Sequence, residues 1–297
     1  MKNLLVAAIG AALALAGGWT VAQAQDAVPD LYNGGVGYTS RGGNLMPPPP
    51  DTPGAHGPIN DHPDYPHYGN ASGHTPTARV GDWTHALLQP WARERSRELN
   101  EPIATQGAVG FDAAQRCWPP GVPGVLTFTA EPMVILQSAG QVTFTYQRGQ
   151  VVRRIYLNEE HPENLTPTWM GHSVGHYEGD TLVVDTVALT DRTFIDNFRT
   201  PHSDQLHVVE RYRLLDGSPD LITDESRPGD DSFVTPDRKV LQVLFAMEDP
   251  GAYTETWTAM QLYEPSDRID ESICAENNND NFDQDLAPLP SDTTPDF

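Results

Sequence analysis

Residues 167–214 carry four of the ten histidines of the chain, together with several acidic and basic side chains. A histidine beside a carboxylate can move a proton near neutral pH, because the ordinary pKa of an imidazole is about 6.5. A guanidinium can hold the negative charge that develops in such a reaction. We therefore predict a catalytic group made of His172, His176, Asp191, Arg192 and His202.

The same charges also have a structural interpretation. Asp191 is followed by Arg192, and Glu210 by Arg211, so each pair could form an ion pair. Exposed ion pairs contribute only about 0 to 1 kcal/mol and carry no function by themselves. From the residues alone, the catalytic and the structural interpretations both stay open.

Aromatic residues near this group could form the wall of a ligand cavity. Tyr253 and Trp257 are four residues apart, which places them on one face of a strand. Trp169 precedes the histidines in the chain, and His207 follows them. The predicted ligand-binding residues are Trp169, His207, Tyr253 and Trp257.

The pentapeptide GHSVG at residues 171–175 has the form G-x-S-x-G of serine hydrolases. In those enzymes the serine lies on a strained turn between a strand and a helix. Here the residues after Gly175 predict a tight turn and a further strand, which leaves no place for the helix. A serine hydrolase is therefore a minor alternative, and we predict that Ser173 is not a nucleophile.

His172 and His176 are four residues apart and raise the question of a metal site. Four residues of a strand span about 13 Å, whereas zinc lies about 2.0 to 2.1 Å from its nitrogen ligands. The two rings cannot bind one ion unless Gly171 and Gly175 bend the strand. We predict no metal and no other cofactor.

Strands must position these residues. From residue 125 onward, short runs of alternating apolar and polar residues are separated by Gly, Pro or Ser, and this period of two predicts half-buried strands. The predicted strands are VLTFTA, PMVILQ, QVTFTYQ and VVRRIYLN, then residues 167–176, 181–189, 206–214, 240–247 and 253–263. The predicted fold is all-β, an antiparallel barrel or sandwich of the lipocalin type.

The run YEGD at residues 177–180 predicts a tight hairpin. On the strand before it, His172 and His176 share one face, while Trp169 and Ser173 share the other. A face with two histidines is either a solvated outer face or the polar part of a cavity.

We expect the chain after the second hairpin strand to return toward the start of the first. In that arrangement His172 or His176 faces His202 and the pair Asp191/Arg192 across a shared cavity.

One helix is predicted before the strands. Pro90 lies near its start, the run WARERSREL follows, and Pro102 lies beyond its end. We expect this helix to pack across the outside or the mouth of the sheet. The predicted organisation is a signal peptide at 1–24, a Pro/Gly-rich arm at 25–80, a barrel-like domain at 81–275 and an acidic disordered tail at 276–297.

The N-terminus predicts export. Lys2 is followed by an apolar run that ends near Val21, and Ala22 and Ala24 form a cleavage signal. We predict a periplasmic or secreted protein whose mature chain has no integral membrane segment. The net charge of −23 excludes nucleic acid as a partner, because binding to polyphosphate needs a basic face. The predicted partner is a small-molecule ligand or substrate.

The chain contains two cysteines, Cys117 and Cys274. In an oxidising compartment two isolated cysteines are most simply a disulfide, with two buried thiols as the alternative. The bond would close a long loop and contribute up to about 5 kcal/mol in the chain-entropy model. We predict that the two cysteines are bonded in the exported protein.

Several long motifs resemble a widespread family of exported bacterial proteins that has no assigned function. These motifs are RCWPPG, PTWMGHSVGHYEGDTLVVDT, DRTFIDNF, PHSDQLHVVERYR and EDPGAYTETW, with the region of Cys274. The resemblance covers residues 82–275 and implies no substrate. Between Leu215 and Val240 this chain carries an acidic segment longer than the family pattern.

Two functions from different classes follow from these observations. The first is a cofactor-independent enzyme, a lyase, isomerase or hydrolase, that uses histidine and carboxylate groups in an enclosed cavity. The second is a non-catalytic binding protein of the lipocalin type for a hydrophobic ligand. Polar groups that converge in a cavity would favour the enzyme, and histidines outside a dry apolar wall would favour the binding protein.

Overall fold

The computed structural model describes residues 28–40, 44–65, 79–110, 117–127, 131–216, 239–266 and 269–272. The predicted signal peptide, the predicted tail and Cys274 lie outside these ranges. The helix α1 spans Pro90–Gln106. The strands are β1 (Gly37–Ser40), β2 (Ala55–His56), β3 (Met133–Gln137), β4 (Gln141–Tyr146), β5 (Val152–Leu157), β6 (His172–Glu178), β7 (Thr181–Val187), β8 (His207–Asp216), β9 (Lys239–Glu248) and β10 (Trp257–Ser266).

Nine of these strands form a closed barrel. Their order around the barrel is β1-β3-β4-β5-β6-β7-β8-β9-β10, and β1 pairs with β10 to close the ring. The short strand β2 adds a parallel pairing to β10. The predicted all-β barrel is confirmed, and closure of the ring excludes the sandwich alternative.

The strand that closes the ring comes from the predicted arm. Gly37 pairs with Ser266, and Tyr38 pairs on its other side with Met133. Tyr38 is only 1% exposed, so this segment belongs to the core. The predicted domain boundary at residue 81 therefore leaves out β1 and β2. A strand of 4 residues in a Gly-rich run is too short to show a period, which is why the sequence does not reveal it.

Alternate residues along each strand point into the barrel or away from it. The inward side chains include large apolar groups such as Phe144 and Phe245, which are fully buried. Burying a side chain of this kind contributes about 1.5 to 3 kcal/mol, so the interior is the main source of stability. On β6, Ser173 points inward, and the histidine-bearing face of this strand is therefore the outer surface.

One pairing in the barrel wall departs from the predicted antiparallel order. β5 and β6 run parallel, with Ile155 opposite Ser173. The chain that leaves β5 must therefore travel back along the barrel before it enters β6. Residues 158–171 make this return, and we term them the crossover. Gly171 ends it at φ +66°, where a Cβ would lie 2.6 Å from the Val187 carbonyl oxygen, so only glycine fits.

The hairpin predicted at residues 177–180 joins β6 to β7. Glu178 pairs with Thr181, which leaves two residues in the turn. Gly179 has φ +59°, the left-handed conformation that such a turn requires. The register places the end of β7 beside the start of β6, as expected.

The helix α1 is longer than predicted. Pro102 lies inside it, and the helix continues to Gln106. A proline inside a helix removes one backbone hydrogen bond. The last turn persists because Ile103 is 2% exposed and packs against the protein. Gly107, at φ +66°, then ends the helix in the left-handed conformation.

One end of the barrel is covered by several segments. The loop 188–206 joins β7 to β8 there, and the turn 249–256 lies at the same end because the start of β8 pairs with the end of β9. Arg199 of the loop is 1% exposed and donates to the amide oxygen of Asn100 in α1 at 2.9 Å. This bond fastens the helix to the barrel, and we term the region the capped end.

The described residues of the first predicted strand, VLTFTA, belong to the 3-10 helix Gly124–Thr127. All its residues are buried, and the carbonyl of Leu126 accepts a hydrogen bond from the Tyr263 hydroxyl. The segment belongs to the hydrophobic core and does not pair with a strand of the barrel wall. A short buried apolar run cannot be assigned to a strand by its period alone, which explains the wrong prediction.

Candidate functional site

Three side chains meet at the capped end in an arrangement suited to ligand recognition. The guanidinium carbon of Arg192 lies 4.5 Å from the ring centre of Trp118 and 4.8 Å from that of Trp169. The two indole ring centres are 5.4 Å apart, and their planes are inclined at 41°. Each member therefore contacts both others. We term Trp118, Trp169 and Arg192 the indole–guanidinium triad.

Trp169 is positioned by the end of the crossover. The amide of Thr168 donates to the Ala188 carbonyl at 3.0 Å, and the carbonyl of Thr168 accepts from the Thr190 amide at 2.9 Å. These two bonds hold the crossover beside the loop 188–206. Arg192, two residues after the second bond, is thereby placed against Trp169.

Trp118 comes from a third segment, which packs on the same loop. A Cβ at Gly121 would lie 2.6 Å from the Thr193 hydroxyl oxygen, so the two backbones approach closely there. Gly121 has φ +78°, a further reason for glycine. The segment 117–121 is therefore held against the loop, and Trp118 reaches the Arg192 guanidinium.

Arg192 is exposed, whereas both indoles are partly buried. Within the part of the chain that the structure describes, no ion pair joins Arg192 to Asp191 or to another carboxylate. A guanidinium on an aromatic face gains about 0.5 to 1 kcal/mol at an exposed site. This contact orients the side chain without using its N–H groups, so they are available to an external acceptor.

His202 lies buried in the same loop. Its Nδ1 donates to the Ser203 carbonyl at 2.9 Å, which leaves Nε2 to accept from the Thr193 hydroxyl at 2.9 Å. Burial lowers the pKa of His202, and the Ser203 carbonyl with the charges of Asp249 and Asp191 opposes this shift. The ring is therefore neutral at pH 7. At 3% exposure it holds the loop in place.

A second polar group lies on the outer surface beside the crossover. Asp185 Oδ1 accepts hydrogen bonds from His161 Nε2 at 3.1 Å and from His207 Nε2 at 2.9 Å. The other ring nitrogen of His161, Nδ1, lies 2.8 Å from His172 Nδ1. Tyr156 stacks on His172 with ring centres 5.4 Å apart. We term His161, His172, Asp185 and His207 the outer histidine cluster.

The members of this cluster differ in their pKa shifts. The hydrogen bond that His207 donates to Asp185 is the main cause of the raised pKa of His207, and burial opposes this shift. Partial burial, followed by the neighbouring His161, lowers the pKa of His172. For Asp185, burial acts upward, but the bonds and charges of His207 and His161 outweigh it and the pKa is lowered. As the pH falls, His207 therefore takes up a proton before His172 does.

The outer histidine cluster lacks the convergence that a metal ion requires. Within the described ranges, no group of three or more His, Cys, Asp or Glu side chains is arranged to hold an ion. The two nitrogens of His161 point to different partners, so His172 and Asp185 lie on opposite sides of its ring.

A third polar group is enclosed in the barrel. Arg153 donates from Nη1 to Glu210 Oε1 at 2.9 Å, and its Nη2 also donates to Glu210. Its Nε donates to the Ser173 hydroxyl at 3.1 Å, and the Tyr212 hydroxyl donates to Glu210 at 2.6 Å. The side chains of Arg153 and Glu210 are 1% and 0% exposed. Ser173 is thus an inward strand residue bonded to arginine, and the strand–turn–helix geometry of a serine hydrolase is not formed.

Tyr253 and Trp257 belong to the core and do not line an open cavity. They are 1% and 0% exposed, and their rings pack edge to face with centres 5.6 Å apart. The Tyr253 hydroxyl donates to the Pro201 carbonyl at 2.8 Å. Because β10 begins at Trp257, Tyr253 lies in the preceding turn, and the two residues do not share a strand face.

Part of the predicted site is brought together at the capped end. Asp191, Arg192 and His202 lie in one loop, and Trp169 joins them through its contact with Arg192. Asp191 is close enough to His202 for its charge to affect the pKa of that histidine.

The remaining predicted histidines lie elsewhere. His172 contacts His161 on the outer surface, and His176 Nε2 lies 3.0 Å from Glu178 Oε1 near the hairpin. The described hydrogen bonds of these two histidines do not include His202. Inward and outward residues alternate on β6, and this alternation directs both rings away from the barrel interior.

Glu210 and Arg211 each form an ion pair, but not with each other. Glu210 pairs with the distant Arg153 inside the barrel, and Arg211 pairs with Glu178 at 2.7 Å on the outside. Adjacent strand residues point to opposite faces, so Glu210 and Arg211 cannot meet.

Sequence patterns did not single out Trp118 or His161. Trp118 lies in the motif RCWPPG, which the family resemblance includes but which has no periodic pattern. His161 lies in the charged run NEEHPEN, where no local signal marks it. Its position depends on the parallel crossover, which local periodicity does not predict.

Comparison with family models finds no match for the chain, and comparisons with curated proteins and solved structures find no significant match. The class defined by fold and site is a closed all-β barrel with a polar aromatic site at its capped end. Among the described residues, no helix is long and apolar enough to cross a membrane.

Proposed function

We propose that the protein binds a small organic anion at the indole–guanidinium triad. The observation that carries this proposal is Arg192, an exposed guanidinium fixed against two indoles with no carboxylate partner in the described part of the chain. Acidic residues outnumber basic ones by 41 to 18, so internal partners are abundant in the sequence. Because Arg192 is paired with none of the described carboxylates, it is suited to bind an external anion.

The two kinds of side chain define the ligand class. A guanidinium binds carboxylate or sulfonate groups through two parallel hydrogen bonds. Indole faces favour a flat apolar body, with a contribution of about 0.5 to 1.5 kcal/mol beyond area burial. The ligand is therefore a planar organic acid. The binding protein predicted from the sequence takes a hydrophobic ligand, and the triad restricts this class to hydrophobic molecules that carry a negative charge.

The position of the histidines supports binding over catalysis. His172 lies outside the barrel, and Tyr253 and Trp257 fill its core. Catalysis in an enclosed cavity needs histidine and carboxylate groups that converge inside. The signal peptide predicted from the sequence supports a function in the periplasm or outside the cell.

Acid–base catalysis is the second candidate function. It is supported by the chain His172–His161–Asp185, in which a carboxylate orients one histidine that contacts another. Proton NMR of a bound organic acid separates the two functions, since a ligand that is only bound keeps its spectrum and a substrate yields new resonances.

Titration of indole fluorescence with benzoate tests the binding function. Benzoate should change the emission of the protein, because it would contact Trp118 and Trp169. Benzamide has the same ring without the charge and should bind at least about tenfold more weakly, since hydrogen bonds to charged groups contribute about 1.5 to 3 kcal/mol. Arg192→Met should weaken benzoate binding by a similar factor.

Arg154→Met is the matched control. Arg154 is also exposed, but it lies in β5 and contacts neither indole of the triad. This variant should bind benzoate as the wild type does. Equal affinities of wild type and Arg192→Met would contradict the proposal.

A further inference from the structure

One side chain fastens the middle of the crossover to the barrel. At its start, the Asn158 amide donates to the Gly175 carbonyl at 2.7 Å, and near its end Thr168 carries the two bonds to the loop 188–206. Between these anchors, the described structure gives residues 159–167 no hydrogen bonds except those of the His161 ring. The hold on this segment therefore depends on the outer histidine cluster.

We propose that the outer histidine cluster is a pH-sensitive clasp that controls ligand affinity at the indole–guanidinium triad. This inference rests on the proposed function, because Trp169 of the triad lies on the crossover that His161 fastens. At neutral pH the clasp holds the crossover and Trp169 in place. In acid the clasp opens, Trp169 is less firmly held against Arg192, and the anion is released.

The contact between two imidazoles explains the sensitivity. A carboxylate only accepts hydrogen bonds, so His161 Nε2 carries a hydrogen toward Asp185, and His161 Nδ1 accepts from His172 Nδ1 at 2.8 Å. One added proton preserves the contact, because one of the two facing nitrogens still accepts a hydrogen bond. A second added proton puts a hydrogen on both facing nitrogens, and the two cations repel.

The surrounding charges do not replace the lost contact. Titratable groups face it from the crossover and from each neighbouring strand: Glu159 and His161 of the crossover, Tyr156 of β5, His172 of β6, Asp185 of β7, His207 of β8 and Glu248 of β9. Asp185 is already shared with His207, and Glu248 lies 3.6 Å from the far side of that ring. Glu159 favours protonation of His172. The Asp185 carboxylate is thus shared by His161 and His207, and it does not reach His172 on the opposite side of the His161 ring.

The pH range of the clasp follows from His172. Partial burial and then His161 lower the pKa of this ring below its ordinary value of 6.5. The stabilising contribution of the contact is therefore complete above pH 6.5 and is lost as the pH falls through the lowered value.

Hydrogen exchange at the amides of Thr168 and Thr190 tests the clasp without any ligand. At about pH 7.5, His161→Leu should exchange these amides about tenfold faster than the wild type, and this ratio should fall toward one as the pH is lowered to about 5. Comparison at the same pH removes the intrinsic pH dependence of exchange. Equal rates at neutral pH, or a ratio that persists in acid, would overturn the clasp.

Two further variants separate the clasp from a general loss of structure. His172→Asn keeps a donor near the position of Nδ1 but does not titrate. The exchange rate of its Thr168 amide, divided by the rate of freely exchanging amides in the same protein, should therefore be the same at both pH values. His56→Leu removes an exposed histidine that bonds only the Thr52 carbonyl, and it should behave as the wild type. If His161→Leu does not fold, a wild-type pH profile in His172→Asn overturns the proposal.

Binding of benzenesulfonate, which stays ionised across this pH range, tests the link to the triad. Its affinity for the wild type should fall at least about fivefold from neutral to acidic pH, and its affinity for His172→Asn should stay constant. An affinity that is constant in the wild type while exchange responds to pH would refute the control of binding. Absence of binding at every pH would refute the proposed function, and the exchange measurements would still decide whether the clasp exists.

Discussion

Two arginines show how surroundings decide what the same side chain does. Arg153 is enclosed in the barrel, where burial opposes its charge, but the charge and hydrogen bonds of Glu210 outweigh burial and raise its pKa. Each described partner of Arg153 is an inward side chain of the barrel wall. Arg192 lies at the surface with its orientation fixed by indoles. The first arginine is structural, and the second is available for recognition.

The buried ion pair yields a prediction about stability. Glu210→Gln should lower the free energy of unfolding by about 3 to 5 kcal/mol, because it leaves the Arg153 charge buried without compensation. Urea unfolding at neutral pH measures this change. Glu178→Gln is the control, since Glu178 pairs with Arg211 on the exposed surface and its loss should cost at most about 1 kcal/mol. Similar unfolding midpoints for both variants would show that the interior pair is not needed.

At the scale of the element, the loop 188–206 is organised by its own buried carboxylate. Asp196 accepts hydrogen bonds from the Phe198 amide at 2.9 Å, from the Thr200 amide at 3.2 Å and from the Thr200 hydroxyl at 2.9 Å. Burial raises the pKa of Asp196 to about 6, although these bonds and the charge of Arg199 act in the opposite direction. The loop that carries Arg192 is thus held by a group that titrates in the acid range.

The direction of the resulting pH dependence follows from the raised pKa. Because the folded pKa of Asp196 lies above its ordinary value of 3.8, its contribution to stability is complete below that value and is lost as the pH rises through about 6. The loss should amount to roughly 3 kcal/mol. Asp196→Asn cannot titrate, so the difference in unfolding free energy between wild type and variant should change between about pH 4 and about pH 7. A constant difference across this range would show that Asp196 is not responsible.

At the scale of the whole molecule, the predicted disulfide would tie the triad to the C-terminal part of the chain. Cys117 directly precedes Trp118, and Cys274 follows the last described residues, of which Asp270 accepts a hydrogen bond from Gln150 at 3.3 Å. A bond between the cysteines would therefore restrain Trp118 as well as the chain end.

We expect mass spectrometry of the non-reduced exported protein to find one peptide pair linked through Cys117 and Cys274. Reduction should lower stability by up to about 5 kcal/mol. It should also weaken benzoate binding, because Trp118 would lose its restraint. Detection of two free thiols in the exported protein would refute the bond.

Local patterns in the sequence determined the class of the fold. Alternation with a period of two predicts the strands from β3 to β10, the run YEGD predicts the hairpin, and Pro90 marks the start of α1. The same local rules place Ser173 and the pair His172/His176 on opposite faces. These features are accessible because hydrogen-bonded turns and alternating faces depend on residues close together in the chain.

Tertiary structure alone decided which face is inside and which residues meet. Closure of the ring by β1, the parallel crossover, and the meeting of Trp118, Trp169 and Arg192 each join segments far apart in sequence. Periodicity does not predict such contacts, because it describes only how side chains alternate between the two faces of one strand. Arg153 and Glu210 meet only because the barrel encloses both charges, and there each compensates the other. The His161–His172 contact exists only because the crossover returns along the barrel wall.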